Sequence, residues 1–255
     1  MLATSLISAP SWLIVALALS LVIAGLVKGT IGVGMPIVAF PLVSMLVDVQ
    51  ASVMLLTMPL ILSNIPQALE GGETFQCFSG LLPVLVGMVP GILLGIAVLL
   101  HVSATVAKLI AGAVVVLVVV LMLAAPKLQI KGRAQVPTGI GAGFFGGMLG
   151  GVAAMPGPLV FTFLIAKGLR GQAFTKEASL FLVLSAALMA IALASTQTFA
   201  WTDIVVSTVA LAPVGLGMYF GQKLRDAIPA EAFKKFVLFV VLLSGLQLLQ
   251  KGLFS

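Results

Sequence analysis

Lys28 lies among glycines within a long apolar run, in the stretch KGTIGVGMPIVAF at residues 28 to 40. An ionisable side chain in such surroundings is a functional candidate, and a lysine there complements an anion. Pro36 follows the glycines and suits the first turn of a helix, where its missing N–H is not needed. A helix that begins there directs N–H groups and the positive end of its dipole toward a negative ligand. The stretch therefore predicts an anion-binding site.

A second glycine-rich stretch, GGMLGGVAAMPGP at residues 146 to 158, repeats this plan without a lysine. Two helix N-termini that converge near the middle of a membrane make an anion site, which here carries charge on one half only. Close helix packing is the alternative explanation for the glycines. Lys28 also has two interpretations, as a buried partner of the anion or as a side chain that reaches the cytoplasmic interface.

The composition is that of an integral membrane protein. Hydrophobic residues make up 61% of the 255 residues, charged residues 8%, and the mean hydropathy is +1.29. A soluble domain carries roughly 25% charged residues. The net charge of +6 comes from basic residues in short loops, so it indicates topology and not nucleic-acid binding. With one cysteine and one histidine, we expect no disulfide, metal site or cofactor.

The apolar segments form two sets of five, which indicates a duplication. The seam is the polar loop PKLQIKGRAQVP. We therefore predict an N-terminal membrane repeat at residues 1–125, a basic cytoplasmic linker at 126–137 and a C-terminal membrane repeat at 138–255. The segments fall near residues 11–27, 35–47, 51–69, 78–100 and 104–125, and near 138–152, 155–166, 174–195, 203–222 and 231–250.

The basic residues favour inverted repeats. If each half crosses the membrane an odd number of times, all basic residues except Lys28, Lys108 and Lys251 fall on one side. If each half instead crosses an even number of times, the basic residues other than Lys28 are divided into eight on one side of the membrane and four on the other. The positive-inside rule then places both termini outside the cytoplasm. The predicted fold is an all-α membrane protein of two inverted repeats with glycine-broken half-helices. Whether the first two segments of each half span or form a re-entrant hairpin stays open.

The candidate substrate-binding residues come from the two glycine-rich breaks and from the third apolar segment. Two of the latter, Ser63 and Gln67, share a helix face and either contact the substrate or bridge helices. Glycines in GILLG and GMYFG, at residues 91–95 and 217–221, are better explained by packing. Glu177 is expected to be a solvated charge at the interface rather than a proton carrier. The full set of candidates is Lys28, Gly29, Thr30, Gly32, Gly34, Met35, Pro36, Ser63, Asn64, Gln67, Gly150, Gly151, Ala154, Met155, Pro156 and Gly157.

Motifs of enzymes and ATP-driven pumps are not found in the chain. It has no Walker lysine loop, no His-Glu-x-x-His pair and no convergent set of Ser, His and Asp. We therefore expect neither catalysis nor ATP drive.

Nearly the whole chain resembles the sulfite exporter TauE/SafE family. The resemblance is carried by GLVKGTIGVGMPIVAFPLVSMLVDVQASVMLLTMPLI, by GFFGGMLGGVAAMPGPLVFTFLIAKGLRGQAF and by IPAEAFKKFVLFVVLLSGLQLL. It implies a multi-pass permease of the bacterial inner membrane that moves sulfite, sulfoacetate or other organosulfonates. Met35 and Met155 lie near positions where the family often has a glycine pair. Their larger side chains narrow this part of the expected site, so the exact substrate does not follow from the resemblance.

These observations predict a secondary transporter, most simply an exporter, of small sulfur-containing anions. Alternating access around a midplane site between the two breaks is the expected mechanism. A passive anion channel, a permease for other small organic anions and a non-transporting membrane scaffold are the alternatives. The expected partners are a small anion and the lipid bilayer, without nucleic acid, and a homo-oligomer is compatible with the sequence.

Overall fold

The computed structural model describes residues 2, 6, 9–72, 74–124, 129–196, 199–225 and 230–254, and these residues are almost entirely helical. The helices of the first half are α1 (Ser11–Ile31), α2 (Met35–Ser44), α3 (Val49–Leu69), α4 (Thr74–His101) and α5 (Ala104–Ala124). Those of the second half are α6 (Gln135–Ala153), α7 (Gly157–Ala166), α8 (Gly171–Ser195), α9 (Trp201–Val209), α10 (Leu211–Leu224) and α11 (Ala230–Leu253). The prediction of an all-α fold is confirmed.

Length and composition divide these helices into two kinds. Eight segments of the described chain are long and apolar enough to cross a membrane, with α9 and α10 together forming one of them. The short apolar helices α2 and α7 have 10 residues each. Ten residues rise about 15 Å as a helix, half of the hydrocarbon thickness. The chain is therefore a multi-pass membrane protein with two half-length helices.

Three boundaries differ from those expected from the sequence. Helix α1 continues to Ile31, so Lys28 lies inside a helix. The expected span at residues 203–222 is interrupted at Ala210, because Pro213 has no N–H to bond the carbonyl of Val209. Helix α6 begins at Gln135, since the first turn accepts Pro137. Residues 125–128, part of the predicted linker, lie outside the described residues.

Proline also interrupts the backbone bonding of α3. Pro59 cannot donate to the carbonyl of Leu55, four residues earlier. Ser207 of α9 supplies the missing hydrogen bond, because its Oγ donates to the Leu55 carbonyl at 2.9 Å. The same Oγ accepts a hydrogen bond from the Met58 N–H at 3.0 Å. An unpaired carbonyl in the membrane is costly, so this serine fixes α9 against α3.

The two halves pack together mainly through four pairs of helices, and each pair takes one helix from each half. The first helix of each half lies along the fourth apolar segment of the other, α1 against α10 and α6 against α4. The third helices, α3 and α8, pack together, as do the last helices, α5 and α11. Small residues at these contacts let two backbones approach closely. The predicted packing role of the GILLG and GMYFG glycines agrees with this arrangement, because a Cβ on Gly95 or Gly217 would overlap the facing helix.

The glycine contacts give the direction of each helix pair. Along the α4–α6 contact, Gly147 faces Met88 and Ile92, and Gly151, one turn later, faces Ile92 and Ile96, so these two helices run parallel. Helices α1 and α10 also run parallel, with Gly25 near Met218 and Gly29 near Gln222. Along the α5–α11 contact the order reverses. The glycines there are Gly112, which faces Leu249, and Gly252, which faces Leu109, so α5 and α11 are antiparallel.

Candidate anion site at the first helix break

The first break consists of residues 32 to 34 and is shaped by two glycines with left-handed backbone. Gly32 ends α1 with φ 91°, and its N–H donates to the Lys28 carbonyl at 2.7 Å. Gly34 precedes α2 with φ 99°. Side chains rarely adopt such φ values, so glycine permits the abrupt change between the two helices. Within the described chain, no group accepts a hydrogen bond from the N–H of Gly34.

The Lys28 side chain is buried against α3. Only 2% of the residue is exposed. Its Nζ donates to the Ser63 Oγ at 3.1 Å and to the Asn64 Oδ1 at 2.5 Å. The Asn64 amide is itself oriented, because its Nδ2 donates to the Leu60 carbonyl at 2.7 Å. Lys28 is therefore buried and does not extend to the interface, while its role as the partner of an anion stays a prediction. We call Lys28, Ser63 and Asn64 the lysine cluster.

The lysine cluster contains a buried basic group without an acidic partner. Both partners of Lys28 are neutral side chains, and no acidic side chain pairs with it in the part of the chain that the structure describes. A buried charge is normally paired, because desolvation is otherwise uncompensated. An ammonium group has three donors, of which two have protein acceptors. An anion beside Lys28 would supply both the missing charge and the third acceptor.

Gln67 connects the break to the second half of the molecule. Its Nε2 donates to the Gly32 carbonyl at 3.0 Å, while its Oε1 accepts from the Ser179 Oγ of α8 at 3.1 Å. Gln67 therefore bridges helices in this structure, with Ser179 as its partner on α8. The hydroxyls of Thr57, Thr162 and Ser185 bond to carbonyls of their own helices instead.

The end of α1 is also held by α10. The Thr30 hydroxyl donates to the Gly221 carbonyl at 3.2 Å, and the Arg225 Nε donates to the Thr30 carbonyl at 3.1 Å. Arg225 compensates the negative end of the α1 dipole. It was not a candidate from sequence, and no local pattern identifies a partner that lies 195 residues away.

The second break differs from the first in its chemistry. Ala154 occupies the left-handed position with φ 49°, and Ala153, Ala154 and Met155 are fully buried. Pro156 and Pro158 remove two N–H donors from the start of α7. This break therefore offers few donors and no polar side chain.

Packing accounts for the other candidate residues in this structure. A Cβ on Gly29 would overlap α10, one on Gly151 would overlap α4, and one on Gly150 would meet Pro156. The Gly157 position faces the ring of Phe161 in the same way. Met35 and Pro36 are buried in α2. The short helices have different neighbours, since α2 packs on α1, α3 and α11, and α7 packs on α6 and α8. A binding role for these residues stays a prediction.

A family model described as "Sulfite exporter TauE/SafE" matches residues 17–248 of this chain. The chain belongs to the TauE/SafE family. The match covers both breaks, the lysine cluster and all eight candidate spans, at least in part. TauE/SafE proteins are membrane permeases for sulfur-containing anions and not enzymes, so the resemblance inferred from the sequence is confirmed. No curated protein and no solved structure gives a significant match.

Replacement of Asn64 by leucine tests whether the lysine cluster of this TauE/SafE member is energetically coupled. Asn64→Leu should lower the free energy of unfolding by about 2 kcal/mol, because the Lys28 ammonium loses a hydrogen-bond acceptor. In a Lys28→Met background the same change should cost less than half as much. Thermal or denaturant unfolding in detergent of both single variants and the double variant measures this coupling. Additive effects would show that Asn64 does not stabilise the ammonium.

Proposed function

We propose that this chain is a secondary transporter that exports small sulfur-containing anions, with Lys28 as the residue that pairs with the anion. Sulfite, sulfoacetate and other organosulfonates are the proposed substrates. The burial of Lys28 without an acidic partner in the described chain is the observation that carries the proposal. Membership of the TauE/SafE family supports the substrate class.

The proposed site is the lysine cluster together with the start of α2. Lys28 supplies the charge, Ser63 and Asn64 supply neutral polar groups, and the N–H of Gly34 is an additional donor near the positive end of the α2 dipole. A sulfonate or sulfite oxygen accepts hydrogen bonds from both kinds of donor. The second break contributes shape and packing but no charge.

Alternating access is the proposed mechanism, and inverted repeats are its structural basis. The repeats are residues 1–125 and 138–255. The last helices of the two repeats, α5 and α11, run antiparallel, and the first helix of each repeat exchanges partners with the other. An axis in the membrane plane relates such repeats, and both termini then lie on one side. The burial of Lys28 supports an occluded resting state, from which the helices around the lysine cluster must separate to admit an anion.

Ligand-dependent stability is the first test of this proposal. The protein in detergent is heated with sulfite, sulfate, sulfoacetate, taurine or matched carboxylates. A bound anion at 100 times its dissociation constant should stabilise the fold by about 2.7 kcal/mol. We expect this effect with a sulfur anion and its loss in Lys28→Met. If none of these anions changes the stability of the protein, the proposed anion site is wrong.

Flux measurements then separate a transporter from the alternatives. In proteoliposomes, unlabelled anion inside should accelerate the uptake of labelled anion, because a transporter exchanges its substrate faster than it returns empty. A channel gives conductance without this acceleration. A scaffold that does not transport gives neither.

A further inference from the structure

Glu177 is buried near the start of α8, where the sequence suggested a solvated charge. Only 9% of the residue is exposed, since the side chain lies between α8, the end of α7 and α4. Its Oε1 lies 3.9 Å from the position of a Cβ on Gly80 of α4. Its Oε2 is buried and has no hydrogen-bond partner within the described residues. The anion site does not involve this carboxylate.

Lys167 is the charged group that faces Glu177. Its Nζ lies 3.7 Å from the Glu177 Oε2, which is an ion pair without a hydrogen bond. The same Nζ donates to the Gly80 carbonyl at 3.3 Å. Lys167 directly follows α7, so it joins the end of that half-length helix to both α8 and α4.

The surroundings of Glu177 contain few other charges. Helices α3, α4 and α6, which pack against α8, contain no Lys, Arg, Asp or Glu. On α8 itself the one other charged residue is Lys176, which is also buried. Glu70, at the end of α3, is exposed. Within the described chain, the charged side chain that contacts Glu177 is therefore Lys167.

The other acidic side chains that the structure describes are less suited to a proton-binding role. Asp48 and Glu70 are exposed and remain in contact with water. Asp203 is buried, but its Oδ2 accepts the Ala200 N–H at 3.1 Å at the start of α9. Among the acidic side chains that the structure describes, Glu177 alone combines burial with an oxygen that lacks a hydrogen-bond donor. Ionisable residues of this kind inside membrane spans form proton relays in transporters.

We propose that Glu177 takes up and releases the proton that drives anion transport. The inference rests on the proposed transport function and adds its coupling ion. A proton from water binds the Oε2 and makes the carboxyl group neutral, which abolishes the ion pair with Lys167. Of the two contacts that Lys167 makes with α8 and α4, the bond to the Gly80 carbonyl of α4 then remains. Loss of the proton restores the ion pair.

Helix α8 connects this proton site to the anion site. Glu177 and Ser179 are two residues apart, so they point to nearly opposite faces of the helix. Glu177 faces α4 and α7, whereas Ser179 bonds to Gln67, which holds the first break. A movement of α8 that follows protonation of Glu177 would therefore displace Gln67, and through it Gly32 and the lysine cluster. Glu177 and Lys28 need not be in contact for this coupling.

Proton-driven accumulation in proteoliposomes tests this inference. Sulfoacetate is the first probe, because its acidic groups stay ionised near neutral pH, and sulfite is the second. With the membrane potential clamped, a gradient of one pH unit is imposed in each direction. For one proton per anion, the wild type should accumulate the anion about tenfold in one of the two directions. Glu177→Gln should exchange the anion but accumulate none, whereas Glu177→Asp should retain accumulation.

The outcomes separate the proton site from the transport function. Glu70→Gln is the matched control, and it should accumulate the anion as the wild type does. Accumulation by Glu177→Gln at the wild-type level overturns the assignment. A pH dye inside the proteoliposomes provides a second test on the wild type, which does not depend on the folding of a variant. Anion flux without any internal pH change also overturns the assignment. If the wild type exchanges neither sulfoacetate nor sulfite, the transport function fails, and this inference fails with it.

Discussion

Lys28→Met should lower the rate of anion transport by at least ~100-fold while the protein still folds. The reason is that the charge of Lys28 has no counterpart in the described protein, so the substrate loses its ionic partner. A buried ionic interaction of this kind contributes about 3 kcal/mol, which corresponds to two orders of magnitude. Initial rates of labelled sulfite and sulfoacetate exchange in proteoliposomes measure the effect.

The stability of Lys28→Met should stay within about 2 kcal/mol of the wild type. Removal of an unpaired buried charge is favourable, and this gain offsets the loss of two hydrogen bonds. Lys223→Met is the matched control, because Lys223 is exposed on α10, with its Nζ 4.4 Å from the centre of the Tyr219 ring. It should transport normally. Unchanged exchange by Lys28→Met would exclude Lys28 from the anion site.

Gly217→Ala should destabilise the protein by about 2 kcal/mol although it adds a single methyl group. Gly217 lies where α10 meets α1, and a Cβ there would overlap the carbonyl group of Val22 and lie 2.8 Å from the Leu26 N. Overpacking of this kind costs about 1–3 kcal/mol, because backbone atoms cannot turn away as a side chain can. Unfolding in detergent, followed by heat or denaturant, measures the loss.

Gly215 on the same helix provides the matched comparison. No atom lies within 4 Å of a Cβ at this position, which is exposed. Gly215→Ala should therefore be neutral or stabilise by up to about 1 kcal/mol, since alanine favours the helix. Equal effects of the two substitutions would mean that close contact between α1 and α10 does not hold the halves together.

The difference between the two breaks suggests a division of roles. The first break lies beside the lysine cluster and is held by Gln67 and Arg225. The second is apolar, and the α7 that comes after it is followed directly by Lys167, the partner of Glu177. In the proposed mechanism the first repeat binds the anion, and the second responds to the proton. In that proposal, duplication followed by divergence of polar residues explains the unequal chemistry of the two breaks.

The sequence by itself determined the class of protein, the helices and the place of both breaks. Long apolar segments, glycine clusters and Pro36 are local signals, because hydropathy and backbone preference depend on neighbouring residues. They located the segments to within a few residues and singled out Lys28, Ser63, Asn64 and Gln67. They also carried the resemblance to the TauE/SafE family, which the family match confirmed.

Only the tertiary structure decided which of these residues meet. Lys28 bonds to Ser63 and Asn64, which follow 35 and 36 residues later, and α10 supplies Arg225 from the other half. Rotation of each helix about its axis sets such contacts. A membrane helix that is apolar on all sides has no polar stripe from which that rotation can be read. The burial of Glu177 was hidden for the same reason, because its exposure depends on how α4 and α7 pack around α8.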